Sequence, residues 1–275
     1  MGRTIDAHVH SSDKRKDDQL RQYAKLNGLR YDLAELLERM EANGISRGLL
    51  LSPPMRGGGP LPNSEIAELC RRSRGVLYPV FTVEPERAAV RDALDLARDH
   101  RGALKGYKIR LGYRRVFAND KVFSPLYDYA EEHGLPVLFH TGDTATSTGS
   151  LVHAHPLTLD ELANARQGLR IVVCHLGNPW ISDTAELLYK HPNVYADISG
   201  LVAGGAGYAR EYVEALARRI SEAAYYAGGT DKLIFGSDYP VETQEVGLSL
   251  VSKLRVTQAD KEKVLWRNAS RLFGL

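Results

Sequence analysis

The chain has 275 residues, a length that a single closed α/β barrel commonly fills, and its 43% hydrophobic and 25% charged residues are the balance of a globular protein with a sizeable core. A net charge of +2 argues against nucleic-acid and strongly acidic partners, and two distant cysteines, Cys70 and Cys174, outside any Cys-x-x-Cys pattern exclude a disulfide framework and favour a reducing compartment. The opening MGRTIDAHVHSSDKRK lacks the apolar core of a secretory signal, and no run approaches the roughly 18 apolar residues of a membrane span, so a cytoplasmic protein without membrane contacts is expected.

Short apolar runs alternate with amphipathic ones along the chain. TIDAHVH (4–10) reads as the first strand, followed by a charged, loop-like segment over 11–30. YDLAELLERMEANG then places Leu33, Leu36, Leu37 and Met40 on one helical face and stops at Gly44. RGLLLS (47–52) is a second strand; the RGGG after it, at 56–59, has no Lys-Ser/Thr to make a phosphate loop and reads as a flexible loop. VLYPVFTV (76–83), the helix PERAAVRDALDLARDH, and ALKGYKIRL (103–111) come next. SPLYDYAEEHG has Ser124 as N-cap, Pro125 at the first helical position and Gly134 as its stop. PVLFHTG (136–142) precedes TLDELANARQG, where Thr158 and Glu161 have the spacing of a capping box. RIVVCHLG (170–177), VYADISG (194–200), the long helix GYAREYVEALARRISEAAYYAG and KLIFGSDYP (232–240) follow. TQADKEKVLWRNASRLFG closes the chain as a helix.

Eight strands alternating with helices imply a parallel sheet. At this length a single-domain (β/α)8 barrel over 1–275 is favoured over an open doubly wound sheet, whose Gly-rich turn after the first strand is absent. In a barrel, chemistry gathers at the C-terminal ends of strands. There stand His8 and His10, Lys108, His140, His175 and Asp238. Strand alternation turns each inward: His8 and His10 with Ile5, Ala7 and Val9 outward; Lys108 with Gly106 and Arg110; His140 with Leu138; His175 with Val173, leaving Cys174 to face a helix as an inert thiol. The His-x-His spacing sets two imidazoles on one side of a strand, about 6.5–7 Å apart at Cα. Imidazole nitrogens with a carboxylate oxygen suit zinc and related divalent ions, and an open position leaves room for a water that the ion acidifies and a carboxylate deprotonates.

These motifs resemble the amidohydrolase superfamily, the metal-dependent (β/α)8 hydrolases, in the amidohydrolase-related branch that includes aminocarboxymuconate-semialdehyde decarboxylase and resorcylate-type decarboxylases. The resemblance spans nearly the whole chain. It is carried by the DxHxH of Asp6, His8 and His10, the HTG of His140, the CHLG of His175, the GSDYP of Asp238 and the closing NASRLF around Asn268. It implies that His8, His10, His140 and Asp238 hold one ion, most simply zinc. Asp238 then also serves as base and acid in catalysis. His175 either binds a second ion or polarises the substrate carbonyl. Lys108 matches the strand-4 lysine that is carboxylated and bridges two ions in the binuclear subset, a role the decarboxylase-like subset does without; a plain barrel-lining lysine is the other reading. One or two ions are therefore expected. A homodimer is the common assembly of such barrels.

Around that centre, Arg110 either receives a substrate carboxylate or forms a structural ion pair. Asp143 contacts substrate or caps a turn, Tyr239 faces the site or packs, and Trp180 stands at the loop mouth as an apolar wall. Asp6 reads as a support behind the ligands. His153 and His155 repeat the His-x-His spelling beside Pro156 and read as loop residues near the pocket. The expected activity is hydrolysis of an amide, lactone or other ester-like carbonyl of a small molecule. The alternative is non-oxidative decarboxylation of an aromatic or muconate-like acid. A barrel that has lost catalysis would lack Asp238 or a ligand histidine, and none is missing.

Overall fold

The structure, a computed structural model, describes residues 3–13, 19–54, 59–203 and 210–275. Of the RGGG segment at 56–59, residues 56–58 lie outside them. Eight parallel strands pair in chain order: β1 (Thr4–His10), β2 (Ile45–Leu51), β3 (Leu77–Thr82), β4 (Gly106–Ile109), β5 (Val137–Phe139), β6 (Ile171–Val173), β7 (Val194–Asp197) and β8 (Leu233–Ile234). Ala7 N donates to Phe235 O (3.0 Å), Asp238 N to His8 O (2.7 Å) and His10 N to Tyr239 O (2.8 Å), so the segment around β8 closes the ring onto β1. The fold is the expected single-domain (β/α)8 barrel.

Helices cover the outside. α1 (Arg21–Leu26) and α2 (Leu33–Ala42) precede β2, α3 (Asn63–Arg72) precedes β3, α4 (Arg87–Asp99) precedes β4 and α5 (Ser124–His133) precedes β5. Short α6 (Leu151–Ala154) and α7 (Asp160–Ala165) precede β6, α8 (Ile181–Lys190) precedes β7 and α9 (Arg210–Tyr226) precedes β8. α10 (Gln244–Ser252), α11 (Gln258–Glu262) and α12 (Asn268–Phe273) follow. Asp32 caps α2 by accepting from Glu35 N at 2.8 Å, and Gly134 ends α5 at φ +62°, the left-handed stop its position predicts. Two expected caps do not form. Ser124 lies inside the helix behind a 3-10 turn, and the Thr158 hydroxyl donates back to His155 O while Glu161 accepts from Asn119.

Two apolar layers result. Tyr107, Ile109, Phe139, Val173, Phe235 and their neighbours join strands to helices. A smaller cluster of Ile5, Ala7, Leu49, Val80, Leu138 and Ile234 fills the barrel, with Ala269, Leu272 and Phe273 of α12 packed into it. Asn268 locks that packing by donating to Thr230 O (2.7 Å) and Leu233 O (2.8 Å).

Strict alternation breaks at two strands. Ile5 and Ala7 face the interior, not the helices, because the β1–β2 register shifts between Asp6 and Val9. That bulge inserts a residue, so Ala7 and then His8 both turn inward. In β6, Val172 and Cys174 are interior and Val173 is outward, the reverse of the alternation reading. His175 still reaches the site because its backbone turns left-handed, at φ +60°.

Candidate active site

At the C-terminal end of the barrel lies a cavity of about 440 Å³. His8, His10, Lys108, His140, His175 and Asp238 all line it, so the strand-end residues singled out from the sequence converge on one place. Their positioning is local. His8 and His10 follow the β1 bulge. His175 and Asp238 each sit at φ +60°, a backbone state that costs a non-glycine residue about 1–3 kcal/mol and gathers at functional sites. Gly200 stands against the carboxylate: a Cβ there would meet Asp238 Oδ2 at 2.7 Å.

Each of the four histidines has one ring nitrogen near an acceptor. His8 Nδ1 is 3.0 Å from Asp197 Oδ2, His10 Nδ1 2.9 Å from Leu51 O, His140 Nε2 2.9 Å from Asp143 O and His175 Nδ1 3.1 Å from Ser199 O. Carbonyl and ionised carboxylate oxygens only accept, so these nitrogens donate. The opposite nitrogen of each neutral ring then presents a lone pair, as in imidazoles set up for metal binding. His8 and His10 aim theirs at one atom: His8 Nε2 is 3.4 Å and His10 Nε2 3.1 Å from Asp238 Oδ1.

The electrostatics favour those states. Burial, reinforced by Lys108, pushes His8 down to about 4. Burial likewise holds His140 well below the ordinary imidazole value and lowers His175. Burial alone would raise the carboxyls of Asp197 and Asp238, yet the imidazoles beside them hold both well below the usual carboxylate range. Two lone pairs facing an ionised oxygen repel unless a cation lies among them. The atoms of His8, His10 and Asp238 lie within 4.8 Å of one another, and this donor set fits a divalent ion. Among the described residues no such grouping includes His140, although its Nδ1, opposite the Nε2 that donates to the Asp143 carbonyl, presents a lone pair.

The other predicted residues divide. Arg110 lines the cavity, and its guanidinium is paired with Glu84 Oε1 at 2.8 Å. Asp143 lines the cavity with its side chain exposed. Tyr239 is fully buried on the other side, its ring against Tyr31 and its hydroxyl donating to Glu35 at 3.4 Å, outside the cavity lining. Trp180 packs on His155 with ring centroids 4.7 Å apart, and His153 stacks on Phe117 at 4.4 Å; none of the four lines the cavity. Asp6 supports from behind, accepting from Ser237 N (2.9 Å), Ser237 Oγ (2.7 Å) and Gln244 Nε2 (3.1 Å), with burial raising it to about 6. Cys174, expected against a helix, instead accepts from Lys108 Nζ inside the barrel.

The sequence reading overlooked Asp197. Fully buried at the end of β7, it joins His8 Nδ1, His175 N (2.8 Å) and the Ser199 hydroxyl. An acid at the C-terminal end of a strand, in VYADISG, was the available signal. Tyr113, whose ring lies 4.7 Å from that of His140, and Gln19, Gln22 and Tyr23 complete the cavity wall, so the segment read as loop-like over 11–30 carries the short helix α1 and lines the site.

No helix among the described residues is long and apolar enough to cross a membrane. No curated protein matches the chain. Among solved structures, the chain is similar to an uncharacterized TIM-barrel protein from Bordetella bronchiseptica (TM-score 0.77, 19% identity, 98% of each chain). It is similar to a dihydroxybenzoic acid decarboxylase from a Polaromonas species, solved with manganese and an inhibitor (TM-score 0.71, 15% identity, 100% of this chain and 98% of that one). It is also similar to a Pseudomonas putida protein provisionally assigned as a 2-pyrone-4,6-dicarboxylic acid hydrolase (TM-score 0.69, 22% identity, 100% and 98%). At these identities the likeness establishes the fold. The model of the amidohydrolase family matches residues 5–275, and the chain belongs to that family.

Proposed function

We propose that this amidohydrolase is a metal-dependent, non-oxidative decarboxylase of a small aromatic or muconate-like acid. The observation that carries the reading is the composition of the cavity: Lys108 lines it beside the His8–His10–Asp238 set, with Arg110 and Arg114, paired to Glu84 and Glu86, at its wall, a set of cations suited to a carboxylate. The decarboxylases among the similar folds support the same choice. A divalent ion held by His8, His10 and Asp238 supplies Lewis acidity toward substrate oxygens. Zinc and manganese both suit this set, and manganese is the ion in the Polaromonas structure. In this reading His140, oriented by its Nε2–Asp143 carbonyl bond, would offer Nδ1 to the same ion. Asp238, ionised, takes a proton from a substrate hydroxyl and returns it to the carbon that keeps the electron pair when carbon dioxide departs. His175 polarises a substrate oxygen. The whole chain, 1–275, acts as one catalytic domain. Two buried, free cysteines are in keeping with a cytoplasmic setting.

The second reading is hydrolysis of a lactone, amide or ester, with Asp238 as base toward water. Its support is the same ionised carboxylate and the 22% identical Pseudomonas fold. Incubating the manganese- or zinc-loaded protein with hydroxybenzoates, muconate-like acids, lactones and amides separates the two. Carbon dioxide release from an acid is the expected result; ring opening or amide cleavage without it selects the hydrolase.

A further inference from the structure

Among the described residues Lys108 is the one buried lysine, 5% exposed at the end of β4. Its Nζ donates to Cys174 Sγ at 2.7 Å, and among the described residues no carboxylate lies within ion-pair distance of it. A buried ammonium is costly without an anion, and a thiol is a weak acceptor. The acids nearby are engaged: Asp197 with His8 and the His175 backbone, Asp238 with His8 and His10. What remains to Lys108 is the cavity, which it lines.

The geometry points to Lys108 as the group that receives the substrate's carboxylate, kept as a free ammonium against Cys174 and not as a carboxylated bridge between two ions. Carboxylation would set a third anion beside Asp197 and Asp238, where Cys174 already fills the space against Nζ. A second ion would have to compensate it. The ligand class is a small acid whose carboxylate takes, at Lys108 Nζ, the place that no protein carboxylate fills. That this acid is also the substrate rests on the decarboxylase reading; the anion site itself does not. Cys174 is a positioning residue: its thiol sits between Lys108 Nζ and the Asp197 carboxylate.

The test uses the manganese-loaded protein, with benzoate and its neutral analogue benzamide titrated calorimetrically. Benzoate binds, and Lys108→Met weakens it at least about tenfold while leaving benzamide unchanged. Lys108→Arg retains most of the benzoate affinity, which guards against misfolding of the Met variant. In parallel, carbon-13 NMR of the wild type in labelled bicarbonate shows no lysine carbamate. Absence of benzoate binding, equal benzoate affinity in wild type and Lys108→Met, or a carbamate resonance that vanishes in that variant overturns the assignment. Lys108-dependent benzoate binding without carbon dioxide release from any acid would sustain it and count against the decarboxylase reading alone.

Discussion

The two ends of the barrel interior obey different rules. Toward the N-terminal end, Leu49, Val80, Leu138 and Ile234 follow plain strand alternation and pack with α12. Toward the C-terminal end, His8 arrives after a register shift, and His175 and Asp238 arrive on left-handed backbone. One end is built for burial, the other spends backbone strain and desolvation on aiming polar atoms. Function at the second depends on the first holding still.

The sharpest way to break this contrast is Asp238→Asn. It should cut kcat/KM at least about 10³-fold with the circular dichroism spectrum retained, because the lost group is the base and not a packing element. Leu138→Ala should do the opposite. Leu138 is 1% exposed, and truncation costs about 2–5 kcal/mol in denaturant unfolding, with kcat per folded molecule nearly unchanged.

Acid should separate the ends through His8. Its imidazole is lowered to about 4 from about 6.5, so the unfolded chain binds the proton first. The metal-free protein should therefore lose stability as pH falls from about 6.5 toward about 4, by up to about 3 kcal/mol from this group. His8→Asn should flatten that part of the profile.

Gly200→Ala probes the strained end directly. At φ +63° and with Asp238 Oδ2 2.7 Å from the added Cβ, it should cost about 1–3 kcal/mol of stability and lower kcat by more than KM rises. Tyr239→Phe should matter least. Its hydroxyl meets Glu35 away from the cavity, so a change below about 1 kcal/mol and an unaltered KM are expected from unfolding and steady-state kinetics.

The same contrast explains what could be read in advance. Alternating apolar runs delimit each strand, and the strand-end histidines and Asp238 are visible because a barrel gathers those ends. Leu138 and His140, or Lys108 and Arg110, share a face as counting by two predicts. Counting by two fails wherever the backbone leaves the strand conformation: at the β1 bulge and at Cys174–His175. Asp197 escaped notice because its role is relational, a hydrogen bond to His8 from 189 positions away. Arg110 likewise shows its pairing with Glu84 only once β4 and the loop after β3 are adjacent.

The central claim is that His8, His10 and Asp238 converge on one divalent ion. Metal content of the purified protein, loaded with manganese or zinc and dialysed, tests it most directly when wild type and His10→Ala are compared by mass spectrometry. One tightly held ion per chain in the wild type and its loss in the variant is the predicted result. No retained ion in the wild type, or equal retention in both, would contradict the account.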